Sequence, residues 1–149
     1  MSETNQALPA RLQEIVEDFE WCEGREKLEL LLQFAEQMPP LPENIQADHE
    51  NMQQVHECMT PVFVTAETKN GRMNFYFDVP ESSPTVRGFA SILGQGLQDA
   101  TPEQVLSIPG DFFTTMGLEK LLTHQRLHGF AGILAHLKRL AVEEIEDTG

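Results

Sequence analysis

The spacing of apolar residues divides the chain into helical and extended stretches. From Leu8 onward, Leu8, Leu12, Ile15, Val16 and Phe19 recur at intervals of three and four, which places them on one helical face. Pro9 fits only the first turn of that helix, where its missing amide hydrogen is not needed. Gly24 interrupts the pattern. A second helix is predicted from about Arg25 to Gln37, with Leu28, Leu31, Leu32 and Ala35 inward and Glu26, Lys27, Glu29 and Glu36 outward. Met38-Pro39-Pro40-Leu41-Pro42 ends it, because successive prolines remove amide donors and force an extended backbone. Residues 43–51 are polar and acidic and read as a surface connection.

The period then shortens. Val62 to Thr68 is rich in β-branched residues, Asn70-Gly71 is a hairpin-turn signal, and Met73 to Val79 alternates aromatic and polar positions. With a short strand at Met52 to Val55, the expected fold is α+β: a small, mostly antiparallel three-stranded sheet with helices packed mainly on one face. At Pro80 to Pro84 the period changes back. Ser83 is placed to cap, and Pro84 to begin, a helix carrying Val86, Phe89, Ala90, Leu93 and Leu97. Gly88, Gly94 and Gly96 cost that helix up to about 1 kcal/mol each on propensity, so close packing against a neighbour is expected to offset them. Thr101-Pro102-Glu103-Gln104 is a capping-box start for a short helix ending near Ser107. Phe112, Phe113 and Met116 share one helical turn stopped by Gly117, and Thr123 opens a last helix reaching about Ala141.

Composition narrows the class. The 149 residues fit one domain, 1–149, with residues 1–7 and the acidic stretch 143–149 expected to be flexible. Ten Lys and Arg against 24 Asp and Glu give a formal charge of −14, which repels phosphate backbones and anionic lipid heads. Neither nucleic acid nor a membrane surface is therefore an expected partner; a protein with a basic patch is. No apolar run approaches the roughly 18 residues of a membrane span. Two cysteines, Cys22 and Cys58, make no disulfide framework, and Met1 to Gln6 lacks the basic-then-apolar order of a secretory signal. The cytoplasm is the expected compartment.

Chemistry concentrates at Val55-His56-Glu57-Cys58-Met59-Thr60-Pro61-Val62-Phe63. Cys58 lies on a connection between two extended pieces, where reactive groups are commonly presented, and a thiol is well suited to sulfur and acyl transfer near neutral pH. In an extended backbone His56 would project to the same side and lower the thiol pKa if protonated. Glu57 would oppose it, while Met59, Val62 and Phe63 would shelter the sulfur. The alternative is a small buried hydrophobe, which is the usual state of free cysteine and the reading preferred for Cys22 beside Trp21. His124 and His128 share a helical face at a zinc-ligand spacing, but position 125 is Gln, so core-edge or solvated histidines are the default. Arg126 between them is either a surface arginine or a fixed cation near Cys58. The dispersed glycines form no phosphate loop, and no Gly-x-Ser-x-Gly occurs.

Four features in order resemble the SufE family of sulfur acceptors, from Ile15 to Arg139. They are Met38-Pro39-Pro40-Leu41-Pro42; the Cys58 stretch where the family has Gly-Cys-Gln-Ser-x-Val-Trp; Thr85-Val86-Arg87-Gly88; and Leu122-Thr123-His124-Gln125-Arg126-Leu127-His128-Gly129-Phe130 where it has Leu-Ser-Pro-x-Arg-x-x-Gly-Leu. The resemblance implies Cys58 as the persulfide-bearing residue and Arg126 as the arginine close to it. It also implies a cysteine desulfurase as partner, an iron–sulfur scaffold or other sulfur acceptor downstream, and no bound cofactor, the pyridoxal phosphate belonging to the desulfurase. In place of the family's residues stand Glu57 for glycine, Met59 for glutamine, Phe63 for tryptophan and Pro80-Glu81-Ser82-Ser83 for Asp-Ser-Asp-Ala. Two other functions compete: a regulatory module that binds a desulfurase without carrying sulfur, and a cysteine-based thiol or peroxide sensor.

Overall fold

The computed structural model describes residues 8–148. Helices α1 (Ala10–Trp21) and α2 (Arg25–Glu36) open the chain, and a short α3 (Glu43–Ala47) with a 3-10 turn (His49–Asn51) leads into β1 (Gln53–Gln54). Strands β2 (Phe63–Lys69) and β3 (Arg72–Asp78) form the hairpin, followed by α4 (Pro84–Gly96) and α5 (Pro102–Leu106). Two 3-10 turns (Phe112–Met116 and Leu118–Lys120) precede the long α6 (His124–Thr148).

The sheet is antiparallel throughout, in the order β1-β2-β3, so the expected α+β architecture is present. Asn70 and Gly71, both at positive φ (56° and 77°), make the tight turn that sets Lys69 opposite Arg72. That register puts Val64 opposite Phe77, Ala66 opposite Phe75 and Thr68 opposite Met73 on one face. α4 packs on this face, and α6 reaches it through His136 to Gln53 and Thr68 to Glu144. The other face is only partly covered: Asn44 donates to Glu67, and His49 pairs with Asp78 while its ring lies 5.4 Å from that of Phe63.

α4 is the hub. Val86, Phe89, Ala90, Ile92 and Leu93 are buried, and the helix packs against α1, α2, β3 and α6. Two glycines permit this. A Cβ at Gly88 would run into the Leu31 carbonyl of α2, and one at Gly96 would lie 2.6 Å from Leu12 Cδ1 of α1. Gly94 is less confined, its nearest neighbour in that direction being Phe77 at 3.6 Å. The rings of Phe89 and Phe130 stack at 4.1 Å, tying α4 to α6, and Phe112 and Phe113 close around Phe89. Gly117, at φ 74°, ends the Phe112–Met116 turn as expected, and Thr101 and Gln104 form the full capping box.

Several boundaries differ from the expectations. Residues 43–51 are not a plain connection, because Ile45 has an apolar site to fill and a single turn is enough to bury it. On α2 the buried set is Leu31, Phe34 and Ala35, which rotates Leu32 to the surface and leaves Leu28 half-buried. α6 continues past Ala141 to Thr148, so the acidic stretch up to there is helical, with the Thr68 hydroxyl donating to Glu144. Residues 1–7 lie outside the described residues. Ser83 occupies the cap position of α4 but makes no side-chain cap bond; Arg87 organises that end instead, donating to the carbonyls of Val79 (2.6 Å) and Ala35 (3.3 Å). Among the described residues no helix is long and apolar enough to cross a membrane.

At Gly88 two effects oppose each other on substitution. Alanine gains about 1 kcal/mol of helix propensity, whereas forcing a methyl against a backbone carbonyl costs about 1–3 kcal/mol, and α2 has no rotamer with which to yield. Gly88→Ala should therefore lower the urea midpoint despite the better helix former, by a net loss of up to about 2 kcal/mol, the close approach to the Leu31 backbone carbonyl placing the cost toward the upper end.

Candidate functional site

Cys58 sits in the loop of residues 56–61, between β1 and β2. The Val55 amide donates to the Val62 carbonyl (2.9 Å), closing the loop's base, and the Cys58 amide donates to the Val55 carbonyl (3.3 Å), making a turn. Val55 and Val62 are fully buried and anchor both ends, whereas His56 and Met59 are exposed. A rigid apolar base therefore carries a polar tip with few ties of its own.

The loop lies along one face of α6, and the contacts match residue for residue. Gln125, Gly129, Gly132 and His136 are spaced by four, three and four, so they stack on a single helical stripe. Gln125 Nε2 meets Met59 Sδ at 2.6 Å. The Cys58 thiol donates to the Gly129 carbonyl at 3.6 Å, and a Cβ on Gly129 would stand 3.1 Å from Cys58 Sγ. One turn on, the Glu57 side chain covers Gly132. His136, only 7% exposed, pairs through Nε2 with Gln53 Oε1 (2.7 Å) on β1, while its Nδ1 accepts from Arg139 (2.9 Å). That pairing assigns the proton to Nε2 and a neutral ring. Burial, followed by the Arg139 guanidinium, lowers the His136 pKa accordingly.

Beside the thiol is an open pocket of about 310 Å³ lined by Cys58, Thr60, Val86, Gln125, Arg126 and Gly129, among others. Arg126 thus lines the same pocket as Cys58. The Arg126 side chain is exposed, and its guanidinium donates to the Thr85 hydroxyl (2.5 Å) at the start of α4. Thr123 caps the first turn of α6, its hydroxyl accepting from the Arg126 amide (3.2 Å). Thr60 Oγ1 is buried in the same loop without a hydrogen-bond partner.

Electrostatics at the thiol run against the simplest expectation. Burial first, and the Glu57 charge second, push the Cys58 pKa up to about 11. His56 is not among the causes: the turn at Cys58 replaces the extended backbone that would have set the two side chains on one side. Met59, 78% exposed, does not shelter the sulfur either; the cover comes from α6. Val62 does line the apolar base, and Phe63 turns to the other face of the sheet against His49. His124 and His128 are both exposed, and among the described residues no three His, Cys, Asp or Glu side chains converge as a metal group. Cys22 is half-buried beside a Trp21 that is 86% exposed, so that corner is less packed than expected.

Sequence reasoning missed the glycine face and His136. Gly132 and His136 carry no motif, and their partners, Glu57 and Gln53, are remote in sequence. The one available signal was the absence of side chains at Gly129 and Gly132, one turn apart in an otherwise regular helix.

The comparisons agree with this geometry. Residues 13–141 match SufE, described as an Fe-S metabolism associated domain. An uncharacterized SufE-like protein of Mycobacterium tuberculosis (strain H37Rv) is 40% identical over 134 residues, covering 89% of this chain and 92% of that one. A solution structure of a hypothetical protein from Thermus thermophilus is 34% identical and superposes with a TM-score of 0.82 over 93% of this chain and 98% of that one. More distantly, the cysteine desulfuration protein SufE of Plasmodium vivax is 25% identical over 125 residues, 83% of this chain but 48% of the relative. With the family's domain matching most of its length, the chain belongs to the SufE family.

Proposed function

We propose that this protein accepts sulfur from a cysteine desulfurase on Cys58 and passes it on for iron–sulfur cluster assembly. The observation that carries the reading is the seating of Cys58: a thiol at the tip of a loop whose base is buried, covered by a helix face and opening on a pocket that Arg126 also lines. Family membership and the name of the Plasmodium relative supply the reaction class.

In the step proposed, Cys58 thiolate attacks the outer sulfur of a persulfide on the desulfurase. The bond between the two desulfurase sulfurs breaks, its cysteine leaves as thiolate, and the new bond is the one on Cys58; no external oxidant or reductant is required. The pyridoxal chemistry that forms the first persulfide belongs to the partner. Arg126 would face the persulfide anion, which is more acidic than a thiol and gains from a nearby guanidinium. A scaffold or other acceptor then takes the sulfur by the same exchange.

The raised pKa makes the seated thiol a poor nucleophile. At pH 7.5 a pKa of about 11 leaves roughly 3 in 10,000 as thiolate, against several per cent for an unperturbed cysteine. Reaction therefore requires the loop to leave its seat. The same fact weighs against the peroxide-sensor alternative, which needs an accessible, low-pKa thiol.

Incubation with a desulfurase and cysteine should add about 32 Da, one sulfur, to the peptide carrying Cys58, and Cys58→Ser should abolish the adduct. Arg126→Ala should slow loading several-fold. Were Cys58→Ser to stimulate desulfurase turnover as well as wild type, the regulatory-module reading would replace this one. A second expectation concerns pH. The folded pKa lies above the unfolded value, so the seated neutral thiol contributes stability below about pH 9, and that contribution is lost as pH rises through about 11. Labelling of Cys58 by iodoacetamide should keep accelerating up to that range in the native protein. At pH 8 it should be at least about tenfold faster in the urea-unfolded chain.

A further inference from the structure

Glu57 stands beside Cys58 where the resembling motif has glycine, and the structure gives it a definite seat. A Cβ added to Gly132 would lie 2.5 Å from Glu57 Cβ, 2.8 Å from Cγ and 3.0 Å from Cδ. The whole stem of the glutamate therefore rests on bare helix backbone. Two consecutive loop residues, Cys58 and Glu57, thus face two glycines one helical turn apart. The fit is complementary in size: a large side chain on the loop, none on the helix. With glycine at 57, this contact between Cys58 over Gly129 and Gln53 at His136 would be lost.

The charge of Glu57 acts in both directions from this seat. It is the named charge opposing ionisation of Cys58, and it also favours the protonated form of His136. The charged and titratable groups bearing on His136 are Arg139 and Glu143 from α6 itself, and Glu57 and His56 from the loop. Glu57 is therefore the residue that connects the thiol to the buried His136–Gln53 pair, which ties α6 to β1.

We infer that Glu57 is a positioning residue for sulfur transfer, its stem docked on Gly132 to hold the Cys58 loop against α6 and so to set how readily the thiol is released. The inference rests on the sulfur-acceptor reading for the use made of that release, but the seating is testable without a desulfurase. The experiment is iodoacetamide labelling of Cys58 between pH 6 and 11, resolved from Cys22 by peptide mass spectrometry, in the full chain and three variants. Glu57→Gly, which removes stem and charge, should label about tenfold or more faster than wild type at pH 8. Glu57→Gln keeps the stem and should move the midpoint of the profile to lower pH with an unchanged thermal melt, which a merely structural role would not produce. Gly132→Ala leaves the charge but displaces the stem, and should also label faster; if that variant does not fold, the two Glu57 variants decide.

Superimposable profiles for wild type, Glu57→Gly and Glu57→Gln would overturn the proposal, as would Gly132→Ala labelling at the wild-type rate in a folded protein. Persulfide loading of wild type separates this outcome from the other reading. Its failure would remove the acceptor function while leaving the labelling differences as stated.

Discussion

The structure of the site depends on one close approach, the loop of residues 56–61 against α6 where Gly129 and Gly132 carry no side chains. Replace either with a larger residue and Cys58 or Glu57 must move, because the space a Cβ needs is already taken by Sγ or by the glutamate stem. Everything else acts to bring those surfaces to that distance. Val55 and Val62 fix the loop base in the core, and His136 fixes β1 to the same helical stripe. The stacked rings of Phe89 and Phe130 fix α6 to the central α4. A loop placed this way takes its resting position from shape complementarity more than from polar bonds.

The same arrangement decides the contest at the sulfur. Arg126 is close enough to share the pocket, yet its guanidinium is engaged by Thr85, and burial and Glu57 dominate the thiol's ionisation. For a transfer protein this order has a physical logic. A thiolate permanently formed would react with oxidants and disulfides as readily as with its proper donor. Burial and Glu57 keep the proton on while the loop is seated, which protects the thiol from such reactions.

How much of this was legible beforehand varies with the range of the interactions involved. The hairpin, α4, α5 and α6 follow from local chemistry, namely Asn70-Gly71, Pro84, the Thr101 and Gln104 box, and three-four spacing, and each starts where that chemistry puts it, although α6 runs beyond its expected end to Thr148. The outward turn of Leu32 and the burial of Phe34 were not readable, because two apolar faces compete on α2 and only the contact with α4 chooses between them. The position of Cys58 on the connection between two strands was legible; the pocket beside it was not. The effect of His56 was misjudged, since a single turn bond from Cys58 to Val55 changes which way its side chain projects. No local pattern reveals that Glu57 lies on Gly132, a contact spanning most of the sheet and α4 in sequence.

Thr85-Val86-Arg87-Gly88 shows how one short stretch can serve several elements at once. Each residue answers a different element: Thr85 holds Arg126, Val86 lines the thiol pocket, Arg87 binds the carbonyls of Val79 and Ala35, and Gly88 admits Leu31. A change at any of the four disturbs two or more elements at once, because α4 is packed on all sides. Met59, by contrast, is exposed and has only Gln125 to satisfy, so the position after the cysteine can take another side chain without moving the fold. Glu57 lies between these extremes. It is a loop residue, but one whose size is matched by an empty place on the helix, so a side chain at Gly132 and the glutamate stem at 57 exclude each other.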